Sequence, residues 1–152
     1  DLHFMKKLVF IFLLAVTSSF SQTIDYNIKK GYVANGYDVV AYFKNEAIEG
    51  SKKFTAHSNG VKFKFSSQKN LDIFNKNPEK FIPQYGGYCA YAVALKSDKV
   101  PINPKTFEIR NGKLYLFYNA WGTNTLKLWQ KANTEALLNR ADENWKTIKI
   151  KK

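Results

Sequence analysis

One cysteine, one methionine and two histidines occur in 152 residues, and each scarcity excludes something. A single cysteine rules out an internal disulfide, so a small domain made by this chain must be held by packing alone. The only methionine, Met5, lies close to the N-terminus, which denies the rest of the chain a thioether route to a soft metal ion. Four prolines and eight glycines are too few for a low-complexity or collagen-like chain. Acidic residues number 12 against 24 basic ones, so the surface is drawn to anions rather than to cations. Beyond residue 22 no apolar stretch approaches the roughly 20 residues of a membrane helix. There are no repeats.

What is present starts with an N-terminal pattern. Lys6-Lys7 precedes the apolar run 8–16 and the small, polar stretch Thr17-Ser18-Ser19-Phe20-Ser21. Positive, apolar and small residues in that order predict a cleavable secretory signal. The residues before Met5 are set aside with it, and Ser19 and Ser21 place the expected cut between Ser21 and Gln22. The expected mature chain is exported, periplasmic or secreted, with residues 22–152 forming one domain. Losing Lys6, Lys7 and Asp1 leaves a net charge of about +11. An exported chain without a helix-turn-helix or RNA-binding signature is not expected to meet nucleic acid. Its basic charge suits an anionic lipid, an anionic envelope polymer or, most simply, a plain solvated surface. Aromatic residues make up 16% of the chain and are the expected core material.

The residue pattern predicts an α+β fold with a core of two hairpins, short helices and a C-terminal helical segment. Gly36-Tyr37-Asp38-Val39-Val40-Ala41-Tyr42-Phe43 reads as a buried strand or a strand-like opening segment, interrupted by Asp38. Val61, Phe63 and Phe65 alternate with Lys62 and Lys64, and Asn59-Gly60 before them gives the first hairpin. Ser66 or Ser67 caps a short helix carrying Leu71, Ile73 and Phe74, and Asn77-Pro78-Glu79 opens another. Pro83 ends it. Tyr88-Cys89-Ala90-Tyr91-Ala92-Val93-Ala94-Leu95 reads as a buried helix with Cys89 in its first turn. Asn111-Gly112, between Phe107-Glu108-Ile109 and Leu114-Tyr115-Leu116-Phe117-Tyr118, gives the second hairpin. Residues 123–148 are helical in composition, with a possible break at Asn133-Thr134.

Three of these segments carry a resemblance: Gly36-Tyr37-Asp38-Val39-Val40-Ala41-Tyr42-Phe43, Pro83-Gln84-Tyr85-Gly86-Gly87-Tyr88-Cys89-Ala90-Tyr91-Ala92 and Gly112-Lys113-Leu114-Tyr115-Leu116. Together they resemble the exported branch of the YHS-domain family, along nearly the whole of residues 22–152. The better understood relatives are treble-clef-like modules in which cysteines on a hairpin and its following helix bind heavy-metal ions such as copper. The resemblance therefore implies metal handling, with a metal ion or metal-handling envelope proteins as partners. In the places of those cysteines this chain has Ser66, Ser67 and Asn70. Cys89 is what is left, and some members of the exported branch carry selenocysteine at the matching position. That implies a chemically active chalcogen rather than a closed zinc site.

Cys89 is thus the leading candidate. Two glycines precede it at an expected helix start, where backbone N–H groups and the helix dipole favour a thiolate. Its alternatives are a buried inert thiol among Tyr85, Tyr88 and Tyr91 and an intermolecular disulfide. His57, the only histidine beyond residue 21, would join Cys89 as a soft nitrogen and sulfur pair for a copper or zinc ion, with Asp38 as a weaker third ligand. Asp38 is more readily explained as a structural hydrogen-bond acceptor. The first expectation for function is soft-metal binding through Cys89. The alternatives are thiol redox chemistry through a sulfenic acid or mixed disulfide, and a basic binding module. Catalysis by a Cys89 and His57 pair lacks an orienting third residue, so a binding role is favoured over an enzyme.

Overall fold

A computed structural model describes residues 22–152, and the signal-peptide reading of residues 1–21 lies outside them. The α+β class is as expected, with four antiparallel hairpins among the described residues, the last two consecutive, and helices between and after them. They are β1 (Ile28–Lys29) with β2 (Tyr32–Val33), β3 (Ser51–Ser58) with β4 (Val61–Phe65), β5 (Asn103–Arg110) with β6 (Lys113–Phe117), and β7 (Asn119–Ala120) with β8 (Thr123–Asn124). Every hairpin turns on two residues with φ positive, the second always glycine, as a tight right-twisting hairpin turn demands. Asn59-Gly60 and Asn111-Gly112 are the two expected from sequence. Lys30-Gly31 and Trp121-Gly122 are the two that are not, because the first residue of each lacks the usual left-handed preference.

The helices follow their caps. Ser67 accepts the amide of Asn70 to start α1 (Gln68–Lys76), and Pro78 opens α2 (Pro78–Phe81). After α3 (Ala90–Lys96), the expected C-terminal helix is two. They are α4 (Thr125–Lys131) and α5 (Thr134–Ile148), and the Asn133 side chain caps the second through the amide of Ala136. The break at Asn133-Thr134 falls where the sequence placed it, but residues 123 and 124 belong to β8.

Strand β6 organises the interior. Its residues 114–117 are all buried, and the period of two along a strand sends them alternately to opposite faces. Leu114 and Leu116 enter a core with Val33, Val39, Tyr42, Phe63, Phe65, Phe74 and Phe81. Tyr115 and Phe117 enter a second core with Val93, Trp129, Leu137 and Ala141. Phe74 lies 4.9 Å from both Phe63 and Phe65 between ring centroids, and Phe117 meets Trp129 edge-on at 5.5 Å. Truncating such a fully buried ring to alanine costs about 3–5 kcal/mol.

The segment 36–43 is not a strand. Tyr37 makes one bridge to Glu49, and 41–44 coil into a 3-10 turn. The reason is Asp38, whose side chain takes the amides of Val40 and Ala41 and so bends the chain that Val39 and Val40 would otherwise extend.

Candidate functional site

The Gly-Gly-Tyr-Cys run is shaped by backbone constraint. Tyr85, Gly86 and Gly87 all have φ positive. A Cβ on Gly86 would sit 2.7 Å from the Asp25 carbonyl oxygen and 3.0 Å from the Trp145 ring. The N-terminal segment lies directly on this turn, with the Asn27 amide donating to the Gly86 carbonyl at 2.8 Å and the Asn27 side-chain amide to that of Gly87 at 3.0 Å. Burial first, and then the hydrogen bond to Asp142 at 2.8 Å, push the Tyr85 phenol well above its ordinary value.

Cys89 leaves that turn fully buried. It is the residue before α3 rather than within its first turn, and its side chain makes no capping bond to the helix amides. Its own amide donates to the Val100 carbonyl at 3.0 Å, and it bridges Leu116 in parallel. The sulfur lies 3.3 Å from Thr125 Oγ1. That hydroxyl donates its one proton to the Tyr118 carbonyl at 2.8 Å, so the lone pair facing the sulfur accepts the thiol proton. Nothing in the sequence marks Thr125 as this partner, because it follows a hairpin that the residue pattern did not reveal.

The thiol belongs to the first core, and its residue also borders a pocket. Cys89 forms part of the wall of a pocket of about 330 Å³ between α3 and α4, with Tyr91, Ala92 and Leu95 on one side and Tyr118, Thr125 and Leu128 on the other. Lys96 and Asp98 are its only charged lining residues. The chemistry offered is a largely apolar cavity with hydroxyls of Thr123 and Thr125 and the Lys96 and Asp98 charges among its lining residues.

The other two expected site residues are elsewhere. His57 is exposed on β3, paired with Lys62 across the hairpin. Asp38 is fully buried and accepts five hydrogen bonds. Oδ1 takes the amides of Val40 and Ala41 at 2.9 and 3.1 Å. Oδ2 takes the amide and hydroxyl of Ser66 at 2.8 and 2.6 Å and the side-chain amide of Asn70 at 2.8 Å. A carboxylate has about four lone-pair sites, so none faces an incoming ligand. Ser66 and Asn70, which stand where the resemblance implies ligating cysteines, are thus engaged with Asp38.

Neither His57 nor Asp38 lines the Cys89 pocket. Among the described residues no group of three or more His, Cys, Asp and Glu side chains is placed to hold a metal ion. Zinc takes four protein or solvent ligands and binds through several side chains, so Cys89 does not by itself make a zinc or copper site. No protein-family model, curated protein or solved structure matches the chain.

Proposed function

We propose that the chain is a non-catalytic binding module that holds a small, largely apolar guest in the pocket between α3 and α4, against the Cys89 thiol. The observation that carries this reading is the pocket itself: about 330 Å³ of space with largely apolar walls, bordered by Cys89. Its size is at the lower end of small-molecule sites, which combine apolar walls with few polar groups. Titration with the uncharged fluorophore N-phenyl-1-naphthylamine tests the proposal. Saturable one-to-one binding that slows N-ethylmaleimide labelling of Cys89, and that Ala92→Phe abolishes by filling the pocket, is the expected result. No binding, or binding that Ala92→Phe leaves intact, would remove this function.

A soft metal ion on Cys89 is the second reading, favoured by the place of Cys89 among the residues that border the pocket and by the likeness to exported YHS-domain proteins. Its remaining ligands then come from the guest or from a metal-handling partner, since His57 and Asp38 are not at the pocket. Titration of the chain alone with Cu(I) or Zn(II) gives weak binding on this reading. Tight stoichiometric binding that Cys89→Ser leaves unchanged would place the metal elsewhere.

A further inference from the structure

Two exposed apolar side chains line the Cys89 pocket, and a third lies close to it along the chain. Five large hydrophobic residues are exposed among those described, and Leu95 and Leu128 are pocket-lining residues. A third, Trp121, is 97% exposed at the β7–β8 turn, two residues before the pocket residue Thr123.

Trp121 is also held in a backbone region that suits it poorly. Its φ is +52°, a left-handed conformation that bulky residues rarely adopt. The chain puts Asn-Gly at two other such turns, Asn59-Gly60 and Asn111-Gly112, where asparagine takes this conformation readily. Here it carries a tryptophan that packs against almost nothing. Strain without compensating burial points to a use outside the fold.

The charge around this mouth is basic. Lys96 lines the pocket, Lys131 lies one turn beyond Leu128 on the same side of α4, and Lys127 lies one turn before Lys131; all three are exposed. Asp98 is the one carboxylate in the lining. Residues 22–152 as a whole carry about +11.

We propose that this collar is a docking surface for an anionic lipid bilayer, with Trp121 as the interfacial anchor, Leu95 and Leu128 entering the headgroup boundary and the three lysines facing anionic headgroups. Tryptophan favours the membrane interface because its ring is apolar and its N–H polar. Lysines add attraction that salt screens. Among the described residues no helix is long and apolar enough to cross a membrane, so the contact is peripheral. It does not depend on what the pocket holds.

The test is co-sedimentation of the protein with phosphatidylcholine vesicles, with and without phosphatidylglycerol, while tryptophan emission is recorded. Trp129 is buried and Trp145 half-buried, so a blue shift on vesicle addition reports Trp121. The expected result is partition onto phosphatidylglycerol-containing vesicles with a blue shift, weakened by salt, by about tenfold in Trp121→Ala, and by roughly fivefold in Lys127→Ala. Trp121→Asn should lose partition to the same extent while raising the folding equilibrium constant roughly twofold to fivefold.

Partition that Trp121→Ala leaves unchanged would overturn the proposal, as would equal partition onto phosphatidylcholine alone. Binding to soluble polyglutamate with none to vesicles would assign the basic surface to a polymer partner and overturn it too. A loss of stability in Trp121→Asn would make Trp121 a structural residue, with the same consequence.

Discussion

Asp38→Asn keeps the shape of the side chain and replaces one acceptor oxygen with a donor, so it separates a structural carboxylate from a ligand. In the less damaging of its two orientations the new NH2 faces the amides of Val40 and Ala41, which lose their Oδ1 acceptor. Ala41 is partly compensated, because its amide also reaches the Asp38 backbone carbonyl at 3.1 Å. In the other orientation three donors from Ser66 and Asn70 are left facing an NH2 group. A buried donor without a partner costs about 1–3 kcal/mol. One donor fully orphaned, one partly, and the loss of charge on the surviving bonds together give about 3 kcal/mol. At an m-value of about 2 kcal/mol/M this lowers the urea midpoint by about 1.5 M, read by far-ultraviolet circular dichroism. Binding of N-phenyl-1-naphthylamine under native conditions should be unchanged, since Asp38 does not line the Cys89 pocket. A variant within 1 kcal/mol of the parent would refute the hydrogen-bond reasoning and return Asp38 to the list of available ligands.

Two further outcomes follow from the geometry around the Gly-Gly-Tyr-Cys run and the buried phenols. Gly86→Ala forces a Cβ to within 2.7 Å of the Asp25 carbonyl oxygen at a φ of +61°, so a loss of about 2 kcal/mol or more is expected in urea melts. Residues 24–27 should become susceptible to limited proteolysis in that variant, and a stability equal to the parent's would contradict the packing. The phenols of Tyr42 and Tyr85 are both raised above the ordinary value of 10.0, chiefly by burial. In the unfolded chain they ionise near that ordinary value, whereas in the folded protein they do not, so their contribution is complete below pH 10 and falls as pH rises above it. Stability measured across pH 8–12 should therefore decline from about pH 10, and less steeply in Tyr42→Phe. A flat profile in the parent would refute the burial of these hydroxyls as acids.

The legible part of the fold lies where one residue fixes local geometry. Asn59-Gly60, Asn111-Gly112, Ser67, Pro78 and Asn133 each determine a turn or a cap through their own backbone preference or a side-chain bond to a nearby amide; the two Asn-Gly turns and Pro78 stand where the sequence placed them, Ser67 is one of the two caps it offered, and Asn133 lies at the break it allowed. The α+β class follows from those signals taken together. The segment 36–43 was misleading for a physical reason: a continuous apolar run records burial, and burial says nothing of extension once Asp38 offers the backbone a competing acceptor.

The candidate site divides along the same line. Cys89 was conspicuous by its scarcity, but its exposure, its distance from His57 and its partner Thr125 are products of long-range packing. The thiol meets a hydroxyl 36 positions away because β6 is buried on both faces and draws α3 and α4 together around it. The sequence by itself determined the single thiol, the basic charge, the aromatic core and the local turns, since these depend on composition or on neighbours a few residues apart. Only the tertiary structure decided that Asp38 is saturated by Ser66 and Asn70, that His57 does not line the Cys89 pocket, and that the exposed Leu95 and Leu128 line it together. Those outcomes rest on contacts between segments far apart in the chain, where no residue's own preference sets the distance.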